Sequence, residues 1–297
     1  MENIEQILRN ILNVRTVEGF ETRGGGFMSK SRNFRTERGN FFVKVNTKSE
    51  SRRMFEGERE SLLALKATDT VTCTTPVTIV DHPEGSGAIF VLEHLDIRDL
   101  DQHAAELGEQ MARLHLHNRK LKAEEEKGAS KIGFCDRLEE SGATRYVSRF
   151  GFHTTTCCGY IPTDNTWTDD WTIFFARQRL QPRFEMVERD YGDREVKDLW
   201  SLLQRKLPQL LAGCEGIVPS LLHGDLHGLN VGEVESGPVI YDAASFYGHH
   251  EFELATTRIF REFHPDFFRV YHQHVPMATG FQRRQLLYGL FYYLNNW

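Results

Sequence analysis

No CxxC pair occurs in this sequence, and its five cysteines, two of them the neighbours Cys157 and Cys158, are an odd number. Both facts argue against a disulfide framework and a thiolate zinc site, and for reduced thiols in a cytoplasmic setting. No apolar run approaches membrane-spanning length. The opening MENIEQILRNIL is polar, with apolar residues at helical spacing, and lacks the unbroken apolar core of a signal peptide. A long basic stripe is also missing, and with a net charge of −6 and a pI near 6.1 the chain is not expected to bind nucleic acid. Internal repeats are absent.

What is present suits a folded chain of one or two domains with a sizeable core, since 40% of the residues are hydrophobic and 26% charged. Ile4, Ile7, Leu8, Ile11 and Leu12 form a helical stripe. FFVKVN (41–46), Pro76–Val80 and Ala88–Leu92 read as strands, the last two joined by the turn-rich DHPEGSG. Between them a helix is expected from Ser49 to Lys66, with Met54, Phe55, Leu62, Leu63 and Leu65 facing the core and Glu58 near the edge of that face. After Glu93 the pattern turns helical: Leu100, Ala104, Leu107, Met111 and Leu114 recur at steps of three and four. LKAEEEKGASK (121–131) reads as a mobile surface loop, and helical patterns return in DWTIFFARQRL and REVKDLWSLLQRKLPQLL. The order is a strand-rich lobe over 1–95 and a larger, mainly helical lobe over 96–297.

The densest chemistry lies in LLHGDLHGLN, residues 221–230. On a strand His223, Asp225 and His227 would share one face and could ligate one ion, as in the first motif of calcineurin-type phosphoesterases. That reading demands GDxxDRG and then GNHE downstream, and the sequence has neither in order. In the alternative, Asp225 receives a hydroxyl proton and Asn230 holds a magnesium ion that carries ATP.

Phosphoryl transfer needs a cover over the phosphates, a cation on them, metal ligands, and a group that orients the attacking hydroxyl. Gly24, Gly25 and Gly26 could bring backbone N–H groups to the phosphates, although a glycine-rich hairpin explains them too. Lys44, inside an apolar strand, needs an anionic partner unless it is a solvated edge lysine; Glu58 could supply one. Asn230 and Asp242 flank two short apolar runs around Glu-Ser-Gly-Pro, so a β-hairpin would bring them together to share Mg²⁺.

The segments FFVKVN, MFEGERESL, GFHTTTCCGYIP, DDWTIFFARQRLQP, LLHGD and YDAASFYGHHEFELA resemble the fructosamine kinases, or ketosamine-3-kinases, over nearly the whole chain. The resemblance implies an α+β, bilobal protein-kinase-like fold of the aminoglycoside and choline kinase type, with a small antiparallel-sheet lobe carrying one long helix. It also implies an ATP- and Mg²⁺-dependent kinase that phosphorylates the C3 hydroxyl of fructosamines on glycated lysines, leading to protein deglycation. By resemblance Lys44 and Glu58 form the pair that positions ATP, and the backbone from Glu93 through His94 to Leu95 is the adenine hinge. Asp225 is then the base, while Asn230 and Asp242 hold magnesium.

The family pattern HGDLWxGN has His227 and Leu229 here, Asp-Pro-Ala has become Asp242-Ala243-Ala244, and Phe27 follows the glycines where many members carry cysteine. The family's sequence also continues beyond the final YYLNNW. An imidazole offers less stacking area than an indole and adds a titratable charge, so His227 bears on acceptor choice. It keeps two alternatives in view, a kinase of another amino sugar and a non-catalytic nucleotide-binding protein. Trp167, Asp170 and Trp171 could line a sugar-amine site, or be a tryptophan core with a solvated charged face. Cys157 and Cys158 are read as packing residues, and Glu253 as an anchor for the catalytic loop by hydrogen bonds.

Overall fold

In the computed structural model the described residues are 2–21, 30–83, 85–129, 145–192, 194–259 and 263–296. The expected glycine cover, Gly24, Gly25 and Gly26, lies outside them.

The chain begins with α1 (Glu2–Leu12), then β1 (Val17–Phe20), β2 (Lys30–Thr36), β3 (Gly39–Asn46), α2 (Ser51–Ala67), β4 (Pro76–Asp81) and β5 (Ala88–Glu93). The five strands form one antiparallel sheet in the order β1-β2-β3-β5-β4. Period-two alternation sends successive side chains of a strand to opposite faces. Here Ile89, Val91 and Val43 join Leu8 and Leu12 of α1 in one core, whereas Ala88, Phe90 and Leu92 join Phe55, Leu62 and Leu65 of α2 in a second. Lys44 has Val43 and Val45 as chain neighbours and pairs with Phe90, so it projects to the α2 face of the sheet. Leu63 is a correction: at 37% exposed it lies outside the expected core face of α2, one position beyond the buried Leu62.

Helices dominate thereafter: α3 (Ala104–Ala129), the hairpin β6 (Thr156–Cys158) and β7 (Ile161–Thr163), α4 (Trp171–Phe174), a π-helical turn (Phe175–Leu180), α5 (Gln181–Tyr191) and α6 (Arg194–Leu210). Then come β8 (Ser220–Leu222), β9 (Val231–Val234), β10 (Gly237–Ile240), β11 (Phe246–Gly248), α7 (His250–Thr256), α8 (Pro265–His274) and α9 (Phe281–Asn295). The expected surface loop over 121–131 is corrected over 121–129, where α3 continues to Ala129, and its last two residues lie outside the described residues. Its charges are spaced for a helix, with Lys120–Glu124 and Lys122–Glu126 paired across one turn, and a helix that carries such pairs on a solvated surface needs no apolar stripe.

Two contacts lock α2 against the helical lobe. A Cβ on Gly57 would lie 2.4 Å from the carbonyl oxygen of Thr155, so only glycine permits this approach. One turn later, Ser61 Oγ accepts from the backbone N–H of Ser245 at 2.9 Å.

Candidate active site

Lys44, Glu58 and Asp242 converge where the sheet meets the helical lobe. The ammonium Nζ lies 2.6 Å from Glu58 Oε1 and 2.5 Å from Asp242 Oδ1. Burial alone would lower the pKa of Lys44, but Asp242 and Glu58 outweigh it and hold the lysine above its ordinary range. Two carboxylates share this one cation, and the strain falls on the deeper acid. Burial, reinforced by Asp242, raises Glu58 to about 7 despite Lys44. The expectation that an apolar strand's lysine needs an anion is met twice over, and the edge-lysine reading is excluded by 6% exposure.

The loop from His223 to Asn230 is set by hydrogen bonds from outside it. Glu253 on α7 accepts the backbone N–H groups of His223 and Gly224, the anchoring expected of it. Thr256 Oγ1 donates to Leu226 O at 2.8 Å, and Tyr292 Oη on α9 donates to Gly224 O at 3.3 Å. Gly224 has φ +87°, and a Cβ there would fall 2.1 Å from Ala244 O, so this position of the HGD motif must be glycine.

The histidine-rich metal cage does not form. His223 is fully buried, with Nε2 donating to Tyr241 O at 2.9 Å and Nδ1 accepting the N–H of Asp225 at 3.3 Å. Burial lowers its pKa, and a neutral imidazole with both nitrogens engaged cannot ligate an ion. His227 Nδ1 likewise accepts from Leu229 N–H at 3.2 Å, which leaves Nε2 facing Asp225 Oδ2 at 3.7 Å.

Asn230 donates through Nδ2 to Asp225 O at 2.9 Å, so the amide fixes the backbone of Asp225 and its Oδ1 remains as an acceptor for a cation. In the hairpin of β9 and β10, Val231 pairs with Ile240 and Tyr241 N–H bonds Asn230 O at 3.0 Å. Asp242 follows directly, with φ +57° and a side chain 34% exposed. An amide oxygen and a carboxylate at one hairpin end are hard oxygen ligands, a donor set that fits Mg²⁺.

In the expected hinge segment, Glu93 N–H bonds Thr75 O at 2.8 Å and His94 N–H bonds Asn40 O at 3.1 Å. Of the three expected hinge residues, these bonds leave Leu95 as the one whose N–H can serve adenine.

The expected acceptor residues separate. Trp171 is corrected: its indole is 2% exposed, stacks on Phe174 and Phe175, and donates Nε1–H to Tyr288 Oη at 2.9 Å. Burying a ring of that size in an aromatic core outweighs presenting it to solvent. Asp170 caps α4, accepting Ile173 N–H at 2.8 Å, so its carboxylate is engaged locally. Trp167 is half-buried and sits 6.2 Å from Tyr247, the one of the two indoles still open at the surface.

Sequence reasoning missed Cys158, whose Sγ reaches Asp225 Oδ1 at 3.6 Å; a cysteine in TTTCCG, 67 positions from Asp225, carries no local sign of such a contact. It also missed Glu233, which accepts the N–H groups of Asp101, Gln102 and His103 at the start of α3. Among the described residues no helix is long and apolar enough to cross a membrane.

A family model described as fructosamine kinase matches residues 1–297. Mouse ketosamine-3-kinase is 48% identical over 99% of this chain and 94% of its own length. A crystal structure from Haemophilus somnus, provisionally described as a fructosamine-3-kinase, superposes with a TM-score of 0.73 at 21% identity, covering 98% of this chain and 88% of its own. An aminoglycoside phosphotransferase in ternary complex with ADP and hygromycin B has a TM-score of 0.60 at 14% identity, covering 99% and 89%. The fold is therefore the α+β kinase-like fold that the sequence motifs imply.

Proposed function

The chain belongs to the fructosamine kinase family, and from that premise we propose that it transfers the γ-phosphoryl group of ATP to the C3 hydroxyl of ketoamines on glycated amines. The observation that carries this reading is the meeting of Lys44 with Glu58 at 2.6 Å and Asp242 at 2.5 Å, beside a loop in which Asn230 holds Asp225 at 2.9 Å.

In this reading Lys44 binds phosphate oxygens while Glu58 holds its ammonium in place. Asn230 Oδ1 and the Asp242 carboxylate hold the metal, and Leu95 N–H meets adenine. Magnesium ATP, when bound, supplies the electrophilic phosphorus and neutralises charge that develops on its oxygens. Asp225 orients the acceptor hydroxyl and takes its proton as the C3 oxygen attacks. His227, beside Asp225 Oδ2, and the half-exposed Trp167 face the acceptor. The product is a 3-phosphoketoamine, whose breakdown frees the amine, so the activity amounts to deglycation in the cytoplasm. The non-catalytic alternative is not favoured, because the relatives are kinases and the chain retains Lys44, Asp225, Asn230 and Asp242.

The test is ATP consumption with Mg²⁺ across a panel of ketoamines, fructoselysine among them, beside amino sugars. We expect turnover with ketoamines and, for Asp225→Asn, a loss of about 10³-fold in kcat with nucleotide affinity retained. Nucleotide binding without turnover of any ketoamine overturns the proposal.

A further inference from the structure

Cys158 ends β6 with its side chain 4% exposed and its Sγ 3.6 Å from Asp225 Oδ1, within reach for a sulfur donor. Burial, reinforced by Asp225, pushes the thiol pKa well up, so the sulfur keeps its proton and the carboxylate is the acceptor. Behind the sulfur stands Asn295, in the last turn of α9, whose Nδ2 lies 3.4 Å from Cys158 Sγ and 3.4 Å from Cys158 O. Asn295 Oδ1 in turn accepts from Arg183 Nε at 2.8 Å. Arg183 is 1% exposed, with its guanidinium over the ring of Phe291.

The chain of bonds has one direction. A guanidinium can only donate, so the Asn295 amide must turn its oxygen to Arg183 and its nitrogen to the sulfur. The thiol lone pair is thereby occupied and its proton is aimed at Asp225. The other carboxylate oxygen, Oδ2, faces Asn230 Nδ2 at 3.4 Å and His227 Nε2 at 3.7 Å. Each oxygen of the base has a different neighbour, which fixes the carboxylate's rotation.

Resting on the kinase reading above, we infer that Cys158 is a positioning residue for Asp225: its thiol, aimed by Asn295 and Arg183, holds the carboxylate in the rotation that meets the acceptor hydroxyl. The C-terminal helix thus reaches the reaction through a sulfur atom. A cysteine that only packs would be sensitive to size and indifferent to polarity, whereas a positioning donor has the opposite sensitivity.

Cys158→Ala and Cys158→Ser separate the two, since both are small and only serine donates. Alanine should lower kcat about tenfold with KM for ATP unchanged, the scale of one hydrogen bond to a charged group, and serine should restore most of it. Asn295→Ala should lower kcat in the parent but add nothing in the Cys158→Ala background, as expected for coupled sites. Equal kcat for alanine and serine, whether both full or both impaired, overturns the inference. A substrate-free readout is the S–H stretching band in Raman spectra that Cys158→Ala removes. It should move to higher frequency in Asp225→Asn, because a neutral acceptor binds the proton less strongly. An unmoved band sinks the inference even if the enzyme is active; a parent protein inactive on every ketoamine but with a shifting band sinks the functional reading instead.

Discussion

Lys44 and Asp242 are 198 positions apart in the chain and 2.5 Å apart in the fold. One belongs to the central strand of the sheet lobe and the other follows the hairpin of the helical lobe, so this ion pair joins the two lobes. Glu58 completes the group from α2, which is itself pinned to the helical lobe at Gly57 and Ser61. The lysine and the carboxylate to which we assign ATP positioning and metal binding are therefore set by the same contacts that hold the lobes together.

Lys44→Met should leave Glu58 and Asp242 facing each other without a cation. Removing one partner of a buried pair costs about 3–5 kcal/mol, and thermal unfolding should show a loss of that order. KM for ATP should rise as well. A Lys44→Met/Glu58→Gln double variant should recover part of the stability but none of the ATP affinity; full stability in the single variant would refute the coupling.

Gly57→Ala places a methyl group 2.4 Å from Thr155 O. Overpacking of this kind costs about 1–3 kcal/mol, and because Glu58 is the next residue the shift of α2 should raise KM for ATP. Gly128→Ala is the control: a Cβ there meets nothing within 4 Å, and in a helix alanine should gain about 0.5–1 kcal/mol. Chemical denaturation of both variants decides it.

His227→Trp should lower the KM for a ketoamine about three- to tenfold, the range of an added aromatic contact, while the KM for ATP stays unchanged. The new ring cannot accept the Leu229 N–H as His227 Nδ1 does, so some loss of loop stability should accompany the gain. A rise in acceptor KM would instead show that the imidazole is fitted to its substrate.

Glu233 gives a pH dependence with a definite sign. Burial would raise its pKa, but the N–H groups of Asp101, Gln102 and His103 override that and lower it below the ordinary 4.5. A carboxylate lowered in the folded state contributes stability above its unfolded pKa and loses it as pH falls through the folded value. Urea midpoints of the parent and Glu233→Gln should therefore differ at pH 7 and converge as the pH falls below the ordinary 4.5 and through the folded value. A constant gap across that range would mean the carboxylate's charge is not what holds the start of α3.

Much of this was legible in the chain itself. The β-branched and aromatic residues of FFVKVN and the apolar run Ala88–Leu92 marked buried strands, and a lysine in such a strand had to find an anion. The spacing from Asp225 to Asn230 to Asp242 was readable because a loop and a hairpin are local structures whose geometry follows from nearby residues. The long helix over 121–129 was not legible, since its support is solvated ion pairs rather than an apolar stripe.

What the sequence by itself determined is most of the elements of the sheet lobe and the candidate reacting groups, because periodicity and short spacings act over a few residues. Only the tertiary structure decided which acids share Lys44, that Trp171 belongs to the core while Trp167 stays open, and that a thiol 67 residues away stands against Asp225. Those outcomes depend on how distant elements pack, where burial and desolvation set the energies, and no local pattern encodes them.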